Sequence, residues 1–101
     1  MQIVYTATFR NDLKSQIDFF KEEDAWHGTH LVEDLKVAIK GAESYIIAFP
    51  DGFNGIGDIR QITLPKFKNH YITYRINKAQ ERIELLKMRS FKSNERLRPE
   101  N

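Results

Sequence analysis

The sequence contains no cysteine, only three prolines and one tryptophan, and no long run of apolar residues. Without cysteine the chain has no disulfide, no thiolate zinc site and no cysteine nucleophile. This is typical of an intracellular protein, although it is also compatible with an oxidising compartment. No apolar run approaches the roughly 20 residues that a membrane-spanning helix needs. The opening MQIVYTATFR lacks the basic and apolar regions of a signal peptide. We therefore expect a cytoplasmic protein that does not enter a membrane.

Length and charge further limit the number of domains and the kind of partner that the chain can have. A chain of 101 residues with 41% hydrophobic and 30% charged residues is sufficient for one folded domain with one modest core. Residues 1–50 carry 5 Lys+Arg and 8 Asp+Glu, a net charge of −3, whereas residues 51–101 carry 11 and 6, a net charge of +5. The basic half predicts an anionic partner, and the alternative is that these cations only solvate the surface.

The N-terminal half has the pattern of one strand and two helices. Residues 2–9 alternate apolar and polar positions, which predicts a strand. Apolar residues then recur at helical spacing over about 10–23, with Thr8 or Asn11 as a cap. A second amphipathic helix of about 20 residues begins near Thr29 and ends before proline 50. Two helices joined by a short link favour an antiparallel helix hairpin.

The C-terminal half has the pattern of an antiparallel meander. Residues 50–58 (PDGFNGIGD) are rich in turn residues and are predicted as a turn. Strands are predicted over Ile59–Leu64, His70–Asn77 and Arg82–Phe91, with links short enough for hairpins. In the last of these the apolar alternation changes phase, which indicates either a bulge or burial on both faces. The resulting order is β-α-α-β-β-β, an α+β fold with the helix hairpin packed on an antiparallel sheet. The first strand is expected beside the last strand or at an edge.

This order and several runs resemble the RelE/ParE superfamily, the toxins of type II toxin–antitoxin modules. The resemblance extends over about residues 2–92. It rests on IVYTATFRNDLKSQIDFF, on a long second helix that closes on AFP before a glycine turn, and on HYITYRI and RIELLKM. It implies one RelE/ParE-like domain over residues 1–92, with a polar tail over 93–101. We expect neither a cofactor nor a metal.

The resemblance implies a toxin that arrests growth and forms a hetero-oligomer with a neutralising antitoxin. ParE-like members poison a type II topoisomerase, usually taken to be gyrase. RelE-like members bind the ribosome and cut mRNA. The long second helix and its AFPDGFNG closure favour the ParE-like function. A ribosome-dependent endoribonuclease is the alternative, and a non-toxic nucleic-acid-binding or interaction domain is a third. Whether the chain is an enzyme therefore stays open.

The positions that carry catalysis in the nucleases differ in this sequence. Tyr71 stands where the nucleases usually have the arginine of an aromatic–arginine pair, and Arg89 or Ser90 stands where many have histidine. Serine is a poor base, and arginine stays protonated near neutral pH. If the chain is a nuclease, the catalytic candidates are Lys66, Lys68, Tyr71, Arg89 and Lys92.

Two partner surfaces are predicted on the basic strands. A surface for the target or for nucleic acid combines cations with aromatic rings that could stack on bases. Its members are Arg60, Lys66, Phe67, Lys68, Arg75, Lys87, Arg89 and Lys92. An acidic arm of the antitoxin could cover the same patch and contact Leu86, Met88 and Phe91.

Other candidate motifs are weaker. His27 and His30 lack the further ligands of a metal site, so we favour a capping or surface role. His70 is interpreted as a sheet-edge histidine rather than a general base. Trp26 is expected to seal the helix hairpin.

Overall fold

The computed structural model describes residues 1–91 and places two helices on one face of a five-stranded sheet. Its elements are β1 Gln2–Tyr5, α1 Ala7–His27, α2 Leu31–Ala48, β2 Asn54–Ile56, β3 Ile59–Leu64, β4 Phe67–Asn77 and β5 Arg82–Ser90. The strand order is β1-β5-β4-β3-β2, in which β1 is parallel to β5 and the other pairs are antiparallel. The predicted α+β class is confirmed, with β1 both beside the last strand and at an edge. Lys92 and the predicted tail lie outside the described residues.

The boundary between β1 and α1 differs from the prediction of a strand over 2–9. The strand ends at Tyr5 and the helix extends over Ala7–His27, longer at both ends than the predicted 10–23. Phe9 caused the error, because it continues the strand alternation but is a fully buried helical residue. Of the helices within residues 1–91, none is long and apolar enough to span a membrane.

Thr6 determines where α1 begins. Its hydroxyl accepts a hydrogen bond from the Phe9 backbone N–H at 3.3 Å, as an N-cap side chain does. The same hydroxyl donates to the Leu85 carbonyl at 2.8 Å. The cap therefore also fastens the start of the helix to β5. The predicted caps, Thr8 and Asn11, lie inside the helix.

Asp24 of α1 caps the second helix. Its carboxylate accepts from the backbone N–H groups of Leu31 and Val32, at 2.7 and 3.2 Å, and from the Thr29 hydroxyl at 2.6 Å. These hydrogen bonds lower the pKa of Asp24 below its ordinary value, and the bond from Thr29 has the largest effect. Thr29 was predicted as the cap itself, but the N-cap position is His30, whose side chain makes no capping bond. A side chain from one helix thus fixes the start of the next.

The core lies between the helices and the sheet. From α2 it includes the apolar positions expected at helical spacing, Leu35, Ala38, Ile39, Ala42 and Ile46. From the sheet it includes Ile62, Leu64, Ile72, Tyr74, Ile76, Ile83, Leu85 and Met88. The Tyr74 hydroxyl donates to the carbonyl of Pro50 at 2.7 Å, which ties the sheet to the chain just after α2.

The change of phase in β5 is a β-bulge. Two successive residues of β4 pair with Lys87 and Leu85, so that Leu86 is the extra residue. The bulge resets the alternation and turns Met88 towards the core, the same side as Leu85.

The segment predicted as a turn over 50–58 also contains a strand. β2 pairs with β3 through a tight connection in which Gly57 has φ 59°. A Cβ at Gly55 would lie 2.2 Å from the Ile59 carbonyl oxygen, so no side chain fits at that position. Arg60 holds the preceding loop, donating to the carbonyls of Phe53 and Gly57 at 3.0 and 2.9 Å. Its closely spaced Pro, Gly, Asn and Asp residues made the whole segment appear to be a turn.

Candidate interaction surfaces

The sheet face opposite the helices, called the open face, carries most of the polar strand residues. Strand side chains alternate between faces, and the core residues of each strand identify the side covered by the helices. The open face therefore presents Gln61, Thr63, Tyr71, Thr73, Arg75, Glu84, Lys87 and Arg89. Four of them are predicted site residues, namely Tyr71, Arg75, Lys87 and Arg89.

On the open face, Glu84 of β5 accepts hydrogen bonds from three side chains. Its two carboxylate oxygens accept from Arg75 Nε at 2.7 Å, from Arg82 Nε at 2.8 Å and from the Asn77 amide at 3.3 Å. Hydrogen bonds from Arg75 and then Arg82 lower the pKa of Glu84 to about 2. Glu84 is 3% exposed, and its carboxylate stays ionised at neutral pH. Arg75, a predicted target-binding cation, is therefore already paired within the chain.

Arg89 is also paired within the chain. Its guanidinium forms an ion pair with Asp12 of α1. The same carboxylate accepts from the Met88 backbone N–H at 3.0 Å, where β5 extends beyond its pairing with β1. Asp12 thus closes a free sheet edge and neutralises a predicted catalytic cation in one arrangement.

The end of the sheet at the β3–β4 turn brings together most of the nuclease candidates. Tyr71 and Arg89 are register partners on adjacent strands. Lys66 and Lys68 are exposed at the same end, and Lys66 has a left-handed backbone with φ 69°. The Tyr71 side chain is 8% exposed, and its ring lies 4.5 Å from that of Phe91 between centroids. We refer to Lys66, Lys68, Tyr71 and Arg89 as the sheet end.

The remaining predicted cations lie apart from the sheet end. Arg60 is half-buried and holds the loop before β3. Lys87 is exposed on the open face, opposite Thr73 of β4. Lys92 lies outside the described part of the chain. The structure therefore distributes the predicted basic surface over several places rather than collecting it into one patch.

His70 and Phe67 lie on the helix side of the sheet. The His70 ring is 3.2 Å from the Gln16 side-chain oxygen and contacts the rings of Phe20 and Phe67. Burial lowers the pKa of His70, so the ring is neutral at pH 7. Phe67 stacks on Phe20 with centroids 5.5 Å apart. The predicted stacking of Phe67 on bases is therefore corrected, because this ring already belongs to the edge of the core.

The predicted antitoxin contacts have different surroundings. Met88 is 4% exposed, so its prediction as a contact residue is wrong, and the bulge is the reason. Leu86 is half-buried at the bulge, and Phe91 is 36% exposed. Leu86 and Phe91 remain accessible.

A small apolar groove separates the two helices beside β1. Its volume is about 210 Å³, and its lining is Tyr5, Leu13, Ile17, Lys36, Ile39 and Lys40. The Tyr5 hydroxyl donates to Glu43 of α2, and burial together with this bond raises the pKa of Tyr5 far above its ordinary value. The groove therefore combines an apolar floor with two lysines at its rim.

The outer face of α1 exposes two large aromatic side chains. Phe19 is 55% exposed and Trp26 is 83% exposed. The expectation that Trp26 seals the helix hairpin is thus wrong. The two residues are seven positions apart, which places them on one helix face, and neither belongs to the apolar stripe of Phe9, Leu13, Ile17 and Phe20. That spacing is the signal in the sequence that could have identified them.

The histidines near the hairpin connection do not assemble a metal site. His27 Nε2 lies 3.9 Å from a Glu23 carboxylate oxygen. Among residues 1–91, no group of three or more His, Cys, Asp or Glu side chains is placed to hold a metal ion.

Comparisons with known proteins bear on the fold. No family model matches the sequence, and no curated protein matches it significantly. The structure is similar to a chain of a chromosomal ParDE TA system from P. aeruginosa, with a TM-score of 0.57 and 15% identity, covering 89% of this chain and 95% of that one. It is also similar to the conserved hypothetical protein HP0892 from Helicobacter pylori, with a TM-score of 0.51 and 18% identity, covering 93% and 98%. The RelE/ParE-like fold expected from the sequence is confirmed.

Chemically, the described surfaces are better equipped for binding than for proton transfer. The histidine nearest the sheet end faces the helices, and the carboxylates nearest Arg75 and Arg89 are already bound to those guanidinium groups. A general base needs a free proton-accepting group within hydrogen-bond reach of the substrate. The lysines of the sheet end, the exposed aromatic rings of α1 and the groove between the helices remain accessible.

Proposed function

We propose that this chain is the toxin of a type II toxin–antitoxin module and that it arrests growth by inhibiting a type II topoisomerase in the cytoplasm. The observation that carries the proposal is the similarity to the ParDE structure over nearly the full length of both chains. The pairing of Arg75 and Arg89 inside the chain supports inhibition by binding, because these cations are not free to stabilise a phosphorane.

A ribosome-dependent endoribonuclease is the second candidate. It is favoured by one observation, the proximity of Lys66, Lys68, Tyr71 and Arg89 at the sheet end. For this function Arg89 would have to leave Asp12, and a lysine or the ribosome would have to take the role of the base.

We further propose that a small antitoxin neutralises the chain by covering two accessible regions. The first contains Leu86 and Phe91 with the exposed lysines Lys66, Lys68 and Lys87, which suit an acidic arm. The second is the groove between the helices, where apolar side chains could enter between Lys36 and Lys40. Both regions favour a segment that alternates apolar and acidic residues.

Inducible expression in bacteria tests the proposal. We expect growth to stop on induction, with a DNA-damage response and trapped gyrase–DNA complexes. Messenger cuts at defined codon positions, without trapped complexes, would instead select the endoribonuclease. Normal growth at full expression of folded protein would contradict both and favour the non-toxic binding domain.

A core variant supplies the control. Leu35 is fully buried, so Leu35→Asp places a carboxylate in the core and should unfold the domain. Growth arrest that persists in this variant would show that the arrest comes from overexpression and not from the folded chain.

A further inference from the structure

The outer face of α1 carries a stripe in which two aromatic residues alternate with acids. Phe19 and Trp26 are seven positions apart, and Glu22 and Glu23 lie between them on the same side of the helix. We call these four residues the aromatic stripe. Glu22 is exposed, and Glu23 is half-exposed beside His27.

Folding does not account for the aromatic side chains of the stripe. With Trp26 83% exposed and Phe19 55% exposed, neither side chain is buried by the fold. The adjacent Phe20, in contrast, is 6% exposed and belongs to the core. Exposed Trp beside a second aromatic residue is the composition found at the energetic centres of protein interfaces.

The acidic residues of the stripe favour a partner with basic side chains. Glu22 and Glu23 flank the aromatic side chains, and Asp18 is exposed one turn before Glu22. Carboxylates repel nucleic-acid phosphates and attract basic side chains. A protein that binds DNA must carry basic surfaces for that purpose, so a topoisomerase presents the complementary chemistry.

The stripe is also separate from the groove proposed for the antitoxin. At about 100° per residue, Phe19 lies about 200° around the helix axis from Ile17, which lines the groove. A partner in the groove would therefore leave the stripe on the opposite side of α1.

We propose that the aromatic stripe is a target-binding surface and that Trp26 inserts into an apolar pocket rimmed by lysine or arginine on the topoisomerase. This inference rests on the proposed function and adds to it the contact surface on the toxin. Phe19 lengthens the apolar contact, and Glu22 pairs with the basic rim.

Growth arrest by single variants is the first test. Trp26→Ala should require roughly tenfold more protein for the same arrest, as expected for an interface centre. Glu22→Lys should weaken the arrest as well. The matched controls are Val37→Ala, an apolar residue of α2 that is 65% exposed, and Glu81→Lys, an exposed acid with the same change of charge. Both controls should behave as the unaltered chain, and thermal unfolding should show all four variants folded.

Footprinting locates the contact directly. Trp26 is the only tryptophan in the chain, and mass spectrometry can assign its oxidation to a peptide of this chain. We expect bound gyrase to slow the oxidation of Trp26 by hydroxyl radicals. The oxidation rate of Tyr45 of α2, which is 55% exposed, should not change.

The outcomes separate this inference from the proposed function. If the unaltered chain arrests growth and Trp26→Ala does so equally well, the stripe is not the target surface, although the toxin function stands. If Trp26→Ala arrests growth but escapes the antitoxin, the stripe belongs to the antitoxin and the inference is overturned. If the unaltered chain, folded and fully expressed, allows growth, both the function and the inference are overturned.

Discussion

The outer face of α1 and the open face of the sheet differ in what they leave unsatisfied. On the open face, Glu84 binds two arginines and an asparagine, and its carboxylate is almost completely buried. On the outer face of α1, Phe19 and Trp26 are exposed. Many charged side chains of the sheet pair with one another or with Asp12. The aromatic side chains on the outer face of α1 remain accessible to a partner.

This difference shows why net charge is an incomplete guide to a binding surface. The basic half of the sequence suggests a cationic sheet, but Arg75, Arg82 and Arg89 pair with Glu84 or Asp12. Long-range attraction depends on summed charge, whereas contact depends on groups that can exchange partners. We therefore expect variants of the open face to change stability and variants of the α1 outer face to change binding.

The largest expected effect compares two adjacent phenylalanines. Phe20→Ala should lower the free energy of unfolding by about 3–5 kcal/mol, because it removes a buried ring that packs on Phe67. Phe19→Ala should change it by less than about 0.5 kcal/mol. Urea unfolding monitored by circular dichroism measures both. Equal losses would mean that the outer face of α1 is part of the core and would end the comparison.

The second prediction concerns the carboxylate of the open face. Glu84→Gln removes the charge that holds Arg75 and Arg82 and should lower the unfolding midpoint at pH 7 by several degrees. Folding lowers the pKa of Glu84 from 4.5 to about 2, so its ionised form stabilises the fold. That contribution is complete above about pH 4.5 and is lost as the pH falls towards 2.

The matched control is Glu22→Gln on the outer face of α1, which is exposed. Thermal unfolding between pH 7 and pH 2 should show a smaller acid-induced loss in Glu84→Gln than in the unaltered chain or in Glu22→Gln. Identical pH profiles for the three proteins would show that the Glu84 cluster does not stabilise the sheet.

The third prediction sharpens how the helix layer is joined to the sheet. Thr6→Ala should cost about 1–2 kcal/mol, because it removes the N-cap of α1 and the hydroxyl contact to Leu85. Thr8→Ala, at an exposed position in the first turn of the same helix, should cost less than about 0.5 kcal/mol. Chemical unfolding measures the pair, and a larger loss at Thr8 would contradict this cap assignment.

The sequence was sufficient to predict most of the fold. The helical spacing in α2 and the alternation in β4 both predict burial of one face, and the structure buries those faces. The start of α1 was missed because Phe9 fits a strand and a helix equally well, and only the contact of Thr6 with β5 decides between them. Such a contact joins residues 79 positions apart, and local pattern cannot reveal it.

The candidate site was less predictable for the same reason. Leu86 and Met88 have the same sequence phase, but the bulge turns one towards the core and leaves the other accessible. Arg89 resembles a free cation until α1 brings Asp12 against it. Residue type identifies candidates for contact, whereas the tertiary partners determine which of them are free.

The smallest expected effect tests whether Lys66, which has a strained backbone at the sheet end, is needed for growth arrest. Lys66 has φ 69°, a conformation that costs a residue with a Cβ about 1 kcal/mol and costs glycine little. Lys66→Gly should therefore stabilise the domain, by less than about 1 kcal/mol, while Lys68→Gly in β4 should destabilise it by a similar amount. Chemical unfolding gives the stability and induced growth arrest gives the function. If Lys66→Gly gains stability and loses arrest, the lysine is retained for its charge, and the sheet end joins α1 as a working surface. Full arrest in the stabilised variant would leave the outer face of α1 as the surface that matters.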